Sequence, residues 1–361
     1  MTGVNMWPNN RALDLFDIEV PIIQAPMAGL ALSDVVVAVS EAGGLGSLAC
    51  ALLNVDQARS ELEIIRRQTS RPINVNFFCH KPPRADPARE VMWRRRLDAY
   101  FVELGLDSNA PFPSSDRAPF DEKMCDLVME FHPEVVSFHF GLPDKNLMAR
   151  VQRAGAKIIS SATSVDEARW LEDRGCDAVI AQGYEAGGHR GAFLTQDVST
   201  QVGTMALVPQ VVDALTVPVI AAGGIADSRG IAAAFALGAS AVQIGTAYLL
   251  CPEAKTSPAY RQALRNAKDN ETALTNVFTG RPARGMVNRL VREVGPMSDI
   301  APDFPLAAAA LAPLRSKSEM AGSADFSPWW AGQAIRLFRE LPAGELTKQL
   351  AAETQEKLRP L

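Results

Sequence analysis

Residues Pro218 to Ala247 read PVIAAGGIADSRGIAAAFALGASAVQIGTA, and their pattern indicates the fold class. The stretch begins with a short apolar run that ends at Gly223-Gly224, and it closes with a second apolar run at 241–247. Both runs are typical of buried strands, and the alanine-rich residues 228–237 between them are typical of a helix. A strand, a helix and a second strand in this order indicate a parallel α/β unit.

The same alternation of strand and helix patterns extends toward the N-terminus. Further runs with the length of buried strands lie at 21–27, 45–49, 73–78, 135–140, 157–162 and 178–181. Together with the opening stretch they make eight strand candidates, and each except the last is followed by a helical pattern. We therefore expect an α/β fold of the (β/α)8 TIM-barrel type. A doubly wound sheet is disfavoured because no GxGxxG follows the first strand.

Two regions depart from this alternation of strands and helices. Residues 79–120 are rich in proline and contain one charged helical pattern, which predicts an insertion after the third strand. Beyond the barrel, patterns interrupted by Pro and Gly predict a smaller helical region with C-terminal helices near 330–341 and 343–357. We expect residues 1–250 to form the barrel with its insertion, and residues 251–361 to form a helical substrate region.

The amino-acid composition limits the kinds of binding partner and cellular compartment that we expect. The chain has 361 residues with 36 Lys and Arg against 41 Asp and Glu, which is not the basic excess typical of nucleic-acid binding. It has neither a signal-peptide pattern nor a run of about 18 apolar residues. Its five cysteines are scattered without CxxC spacing, which favours a reducing compartment. We expect a cytoplasmic monomer or homodimer with a small-molecule partner, no nucleic acid and no membrane.

The loops after the seventh and eighth strands predict a phosphate site. In TIM barrels phosphate groups commonly bind there, and here the loops contain Gly223-Gly224 and Gln243-Ile244-Gly245-Thr246. Glycines let backbone N–H groups approach an anion, and Thr246 adds a hydroxyl donor. The alternative is that Gly223-Gly224 is only a tight turn. Two glycine sites in the expected pair of loops favour a phosphate-bearing ligand.

Other strand ends carry groups suited to the edge of a ring. Asn76 ends the third strand and Gln182 ends the sixth, and an amide offers a donor and an acceptor together. Each suits a flavin or a nucleobase, or alternatively an ordinary hydrogen bond to a neighbouring loop. Gln24 and Met27 end the first strand, with Ala25 between them. We interpret Met27 mainly as a packing residue that also touches a ring.

The loop AQGYEAGGHRG (181–191) places His189 between Gly188 and Arg190. Histidine is the side chain whose unperturbed pKa lies closest to neutral pH. At the ligand-binding end of a barrel, we expect His189 to act as a general base or to donate a hydrogen bond to developing negative charge.

The other histidines are less informative. His139 ends the fourth strand, and it is either a second polar group in the site or a hydrogen-bonded core histidine. His80 and His132 are interpreted as loop or surface residues. No His, Asp or Glu residues show a metal-ligand spacing, so we expect no metal.

Together, these residues resemble the class I nitronate monooxygenases, formerly called 2-nitropropane dioxygenases. The pieces that carry the resemblance occur in the family's order across nearly the whole chain. They are PIIQAPMAG (21–29), EAGGLGSLA (41–49), NVNFFCH (74–80), SFHFG (137–141), AQGYEAGGHRGAF (181–193), PVIAAGGIADSRGIAAAFALGASAVQIGTAYLLCPE (218–253) and WAGQ (330–333).

The resemblance implies FMN-dependent oxidation of alkyl nitronates or nitroalkanes with O2 to a carbonyl compound and nitrite. His189 would be the catalytic base or orienting group, with Arg190 and glycine N–H groups as helpers. With the residues singled out above, the cofactor-binding set comprises Gln24, Ala25, Met27, Asn76, Gln182, Gly187, Gly188, Gly223, Gly224, Gln243, Ile244, Gly245 and Thr246.

One segment departs from the family. Typical members line the substrate cavity with tyrosines and a lysine, but residues 302–312 read PDFPLAAAALA. Phe304 would replace one tyrosine, while Tyr260 matches another. We expect His139, Tyr260 and Phe304 at the substrate, in a cavity that is more apolar and less cationic than usual. The alternatives are NAD(P)H-dependent reduction of an enoyl thioester or quinone with FMN on the same fold, and a flavin-free TIM-barrel lyase or isomerase.

Overall fold

The computed structural model describes residues 7–84, 86–111 and 117–359. The chain forms a parallel barrel and a small antiparallel sheet. Their strands, in chain order, are β1 (Ile22–Gln24), β2 (Gly46–Ala49), β3 (Ile73–Phe78), β4 (Val135–His139), β5 (Lys157–Ala162), β6 (Ala178–Gln182), β7 (Gly188–His189), β8 (Val219–Ala222), β9 (Ala241–Ile244), β10 (Thr272–Thr275) and β11 (Ala283–Met286).

Eight of these strands form the barrel. They pair in parallel in the order β1-β9-β8-β6-β5-β4-β3-β2, and a bridge between Ile23 and Leu45 joins the two edges. The strands are almost entirely buried because one face meets the barrel interior and the other meets the helices, so they read as continuous apolar runs. The predicted (β/α)8 TIM barrel is confirmed.

The helices surround the barrel or belong to its additions. They are α1 (Arg11–Phe16), α2 (Ser33–Glu41), α3 (Val55–Gln68), α4 (Pro87–Glu103), α5 (Glu122–Phe131), α6 (Lys145–Arg153), α7 (Val165–Glu172), α8 (Thr204–Ala214), α9 (Ser228–Ala236), α10 (Pro258–Asn266), α11 (Arg289–Val294), α12 (Ala307–Met320) and α13 (Ala343–Leu358). Most begin at a polar cap; Asp227, for example, accepts the N–H groups of Arg229 and Gly230 at the start of α9. Helix α5 has no counterpart among the predicted helices.

The last helix closes the outer shell of the barrel. Helix α13 packs against α2 and α9, and its buried Leu346 and Leu350 belong to the barrel core. The helix predicted near 330–341 is absent, and this prediction was wrong. Backbone N–H groups of that segment are used elsewhere, since Gly332 donates to Thr246 Oγ1 and Gln333 donates to the Glu185 carbonyl.

The insertion and the segment after the barrel share a second core. Helix α4 packs against α12, and its Trp93 and Phe101 join Phe278, Leu311 and Phe326 in one apolar cluster. In the small sheet, β11 pairs with both β10 and β7. Because β7 contains His189, this sheet ties the loop after β6 to the segment that follows the barrel.

In the described part of the chain, no helix combines the length and the apolarity needed to cross a bilayer.

Candidate active site

A cavity lies at the carboxyl ends of the barrel strands, where ligands bind in this fold. Most of the predicted site residues line it. They are Ala25, Met27, Asn76, His139, Gln182, Gly187, Gly188, His189, Gly223, Gly224, Gln243, Gly245 and Thr246.

Four predicted residues, Gln24, Ile244, Tyr260 and Phe304, do not line this cavity. Gln24 is fully buried in the barrel, where its Oε1 accepts the N–H of Ser47. Ile244 is buried in the barrel wall, and its carbonyl accepts the N–H of Ala25. Tyr260 lies behind the wall, with its ring 5.0 Å from that of Trp329 and its hydroxyl donating to the Trp330 carbonyl at 2.6 Å. Their positions support structural roles rather than direct ligand contact.

Glycines form one end of the cavity, which we call the glycine end (Gly187, Gly223, Gly224, Gly245). Gly223 has φ 113° and Gly224 has φ 69°, both in the left-handed region that glycine adopts without strain. A Cβ on Gly187 would lie 2.6 Å from the backbone N of Gly332. Gly223 and Gly224 therefore need glycine for conformation, and Gly187 needs it for space.

The glycine end also presents unused polar atoms. Gln243 Oε1 is buried and has no hydrogen-bond partner among the described residues. Thr246 Oγ1 accepts the N–H of Gly332 at 3.0 Å, so its own proton stays available. An unpartnered buried oxygen costs free energy, and a ligand with polar groups at this end would remove that cost.

The rest of the cavity, which we call the histidine end (Phe78, Arg117, His189, Trp330), contains His189, whose backbone is held from three directions. It pairs with Ala283 through the β7–β11 ladder. Its carbonyl accepts Gln182 Nε2 at 3.0 Å and His139 Nε2 at 3.1 Å. The imidazole is fixed as well, because Nε2 lies 3.0 Å from Thr279 Oγ1. This anchoring preorganises the side chain before any ligand arrives.

His139 combines both roles that its sequence position left open. It lines the cavity, yet both of its ring nitrogens are used, with Nδ1 3.0 Å from Ser161 Oγ. Burial lowers the pKa of His139 to about 3, so the ring is neutral. A neutral ring that donates Nε2–H to the His189 carbonyl positions the loop that carries His189.

Aromatic rings enclose His189. The ring centroids of Phe304 and Trp330 lie 5.3 Å from its imidazole, and those of Phe78 and Phe140 lie 6.0 Å away. Phe304 itself is buried and packs against this group without lining the cavity. Burial, reinforced by the positive charge of Arg117, lowers the pKa of His189 well below its usual value. The imidazole is therefore neutral at neutral pH.

Two arginines bring positive charge to this region, while the expectation of a cavity less cationic than in typical family members stays a prediction. Arg117 comes from the insertion and lines the cavity, with Cζ 5.8 Å from the Phe304 ring centroid. Its guanidinium has no hydrogen-bond acceptor or ion-pair partner among the described residues. Arg281 lies behind the Phe140 ring at 3.8 Å. Burial lowers the pKa of each to about 10, so both remain charged at neutral pH.

Arg190 faces away from the site, contrary to its predicted role as a helper. Its guanidinium donates to the carbonyls of Gln182 at 2.7 Å and Gly183 at 2.6 Å, and to Gln201 Oε1 at 2.5 Å. These bonds use its donors to hold the loop after β6. Arg190 positions the loop that carries His189 and does not reach the ligand.

Several site residues were missed in the sequence. His80 follows β3 in a loop, but it is buried rather than on the surface, with its ring 4.8 Å from Phe304. The run NVNFFCH offered a signal for Phe78 and His80, because it ends a barrel strand. Thr279 and Arg281 had no comparable local signal. Within the described ranges, no cluster of His, Cys, Asp or Glu residues is arranged to hold a metal ion.

A barrel whose strand ends enclose a cavity with a half-buried, anchored histidine is typical of a TIM-barrel enzyme. The family model for nitronate monooxygenase matches residues 9–353. The chain is 42% identical to a nitronate monooxygenase of Pseudomonas aeruginosa, over 95% of this chain and 99% of that protein. It is 41% identical to one of Paraburkholderia phytofirmans, over 97% and 96%. The chain belongs to the nitronate monooxygenase family.

Solved structures agree with this assignment. The nitroalkane oxidase of Streptomyces ansochromogenes superposes with a TM-score of 0.87 at 39% identity, covering 96% of this chain and 98% of that one. FabK from Thermotoga maritima gives a TM-score of 0.73 at 29% identity, covering 96% of each chain. The resemblance inferred from the sequence motifs is therefore confirmed.

Proposed function

We propose that this protein oxidises alkyl nitronates with FMN and O2, yielding a carbonyl compound and nitrite. Relatives named nitronate monooxygenase support the reaction class. The observation that carries the proposal is a neutral, anchored His189 at one end of a cavity whose other end is built from glycines.

The glycine end fits the phosphate and ring of FMN. Gly223, Gly224 and Gly245 leave their backbone N–H groups open to an anion, and Thr246 keeps a hydroxyl proton to donate. Gln243 Oε1 supplies an unused acceptor for a ring N–H. Bound there, FMN would supply the capacity to accept electrons from the substrate and to react with O2. The chain's own part is to hold, orient and shield the reactants.

Asn76 and Gln182 would both face the cofactor, but they differ in which side-chain atoms remain available for hydrogen bonds. Asn76 Nδ2 donates to Ser137, which leaves its Oδ1 without a partner among the described residues. The Gln182 carboxamide is engaged by the catalytic loop, since its Oε1 accepts the N–H of Gly191 at 2.7 Å. Gln182 therefore couples the cofactor site to the position of His189.

The histidine end fits a small anion with an apolar body. The rings of Phe78, Phe304 and Trp330 exclude water and suit an alkyl group. Arg117 supplies a guanidinium that has no acceptor among the residues the structure describes, and a nitronate presents two oxygens that can accept from it. His189 would orient the nitronate or, when a neutral nitroalkane is bound, take its α-proton.

An anaerobic mixing experiment tests the proposed function. Purified protein containing FMN is mixed with ethyl nitronate or with NADH, and the flavin absorbance is followed. We expect rapid bleaching by the nitronate and none by NADH; admitting air should then produce nitrite. Rapid bleaching by NADH alone would support the alternative, an FMN-dependent reductase of enoyl thioesters or quinones. A colourless protein that fails to bind added FMN would rule out both.

The remaining expectations stay proposals. They are a cytoplasmic location, a monomeric or homodimeric state, and a division into a barrel and a helical substrate region at about residue 250. The shared core of α4 and α12 supports a role for the insertion in covering the histidine end.

A further inference from the structure

The strongest unassigned feature is the hydroxyl of Thr279. Thr279 lies in the turn that follows β10 and is buried. Its Oγ1 is 3.0 Å from His189 Nε2 and 3.4 Å from the carbonyl of Arg281. His189 Nδ1, in contrast, makes no hydrogen bond to any described residue, and the side chain lines the cavity. The two ring nitrogens therefore have different surroundings.

The two contacts of the hydroxyl determine where its proton lies. A threonine hydroxyl has one proton and can accept as well as donate. The Arg281 carbonyl can only accept, so the hydroxyl must donate to it if that contact is a hydrogen bond. The hydroxyl then accepts from His189 Nε2–H. Both contacts are satisfied together only when Nε2 carries the imidazole proton, which leaves a lone pair on Nδ1.

The backbone around Thr279 holds this geometry. Gly280 donates its N–H to the Asn276 carbonyl at 2.7 Å. A Cβ on Gly280 would lie 1.9 Å from the carbonyl oxygen of Pro302, so the turn is packed tightly against that segment. The next strand after the turn, β11, pairs directly with His189. The hydroxyl and the imidazole are therefore fixed relative to each other by one sheet.

We propose that Thr279 is a positioning residue that holds His189 in the Nε2–H form and directs the Nδ1 lone pair into the cavity. This places a proton acceptor where a substrate binds. Thr279 itself touches the histidine and not the substrate. The assignment of the tautomer stands on the geometry alone, whereas its consequence for catalysis rests on the proposed function.

The consequence is an ability to use neutral nitroalkanes as well as nitronates. In the added step the α-C–H bond breaks, its proton goes to Nδ1, and its electron pair moves into the nitro group to form the nitronate. The imidazolium then donates Nε2–H to Thr279 Oγ1, whose own proton points to the Arg281 carbonyl. A hydrogen bond to a charged group is stronger than one to a neutral group. Thr279 therefore stabilises the imidazolium of His189 more than its neutral imidazole.

Variants at Thr279 test this assignment. Thr279→Val keeps the shape and removes the hydroxyl, Thr279→Ser restores a hydroxyl, and Thr275→Val removes a buried hydroxyl from the same sheet as a control. We expect Thr279→Val to lower kcat/KM for neutral nitroethane by about 10-fold or more. We expect a smaller loss for ethyl nitronate, which needs no proton removal. Thr279→Ser and Thr275→Val should stay near the unmodified enzyme.

Nitrogen NMR of the histidine rings provides a readout that is independent of turnover. The FMN-bound enzyme is labelled with 15N-histidine, and the His189 signals are assigned by their loss in His189→Gln. We expect the Nε2–H tautomer in the unmodified enzyme and a changed tautomer population in Thr279→Val. An Nδ1–H tautomer in the unmodified enzyme would overturn the assignment, and equal losses for both substrates would overturn its catalytic consequence. If no nitronate is oxidised at all, the NMR result still decides the tautomer.

Discussion

The two ends of the cavity are built by different means. The glycine end consists of backbone at the carboxyl ends of β8 and β9 and of the loop after β6, where Gly223 and Gly224 take conformations that favour glycine. The histidine end consists of side chains from distant segments, among them Phe78, Arg117 and Trp330. A site for a constant cofactor can be made from local backbone, whereas the substrate wall depends on tertiary packing.

The largest effect should come from His189. His189→Ala or His189→Asn should lower turnover of a nitronate or nitroalkane at least about 100-fold, the usual scale for a positioned acid or base. FMN content should stay unchanged, because the glycine end does not need the imidazole. Turnover and FMN absorbance are measured on the same preparation. His132→Asn is the control, since His132 is exposed and has φ 44°, a conformation that Asn tolerates.

A loss of FMN in His189→Ala would show that the two ends are not independent. Near-normal turnover would remove His189 from its catalytic role.

A substitution at the glycine end should weaken FMN binding, which the His189 substitutions should leave unchanged. Gly223→Ala should weaken FMN binding about 10-fold or more, because a Cβ there would lie 3.1 Å from the N of Ala186 in a backbone conformation with φ 113°. Gly155→Ala is the matched control, with φ 84° and nothing near its Cβ. FMN dissociation constants are obtained by flavin fluorescence titration, and thermal melts monitor the strain common to both variants. Equal FMN affinity in the two variants would contradict the cofactor assignment.

A smaller effect should follow from Arg117. Arg117→Met keeps much of the apolar stem and removes the charge, so KM for a nitronate should rise about 10-fold with a lesser change in kcat. The control is Arg95→Met, an exposed position on α4. Steady-state kinetics with ethyl nitronate measure both variants. An unchanged KM would mean that the guanidinium does not hold the anion and that the histidine end binds by its rings alone.

The same contrast explains what could be predicted from the sequence. All eight barrel strands and the glycine end followed from short-range patterns, since a strand, its loop and the next helix are adjacent in the chain. The cation at the histidine end could not be predicted, because Arg117 lies in the insertion and Arg281 after the barrel. Tyr260 matched a family position, but in the structure its hydroxyl donates a hydrogen bond to the Trp330 carbonyl and does not reach the cavity. Arg190 shared a motif with His189 but turned its side chain away.

The position of α13 near the end of the described chain affects how the barrel folds during synthesis. The last barrel strand, β9, ends at Ile244, but α13, which packs against α2 and α9, begins only at Ala343. Residues 245–342 are therefore synthesised while the apolar surface under Leu346 and Leu350 is still uncovered. Contacts between such distant parts of a chain form slowly, and exposed apolar surface favours aggregation. Helix α13 must leave the ribosome before the barrel can complete its shell.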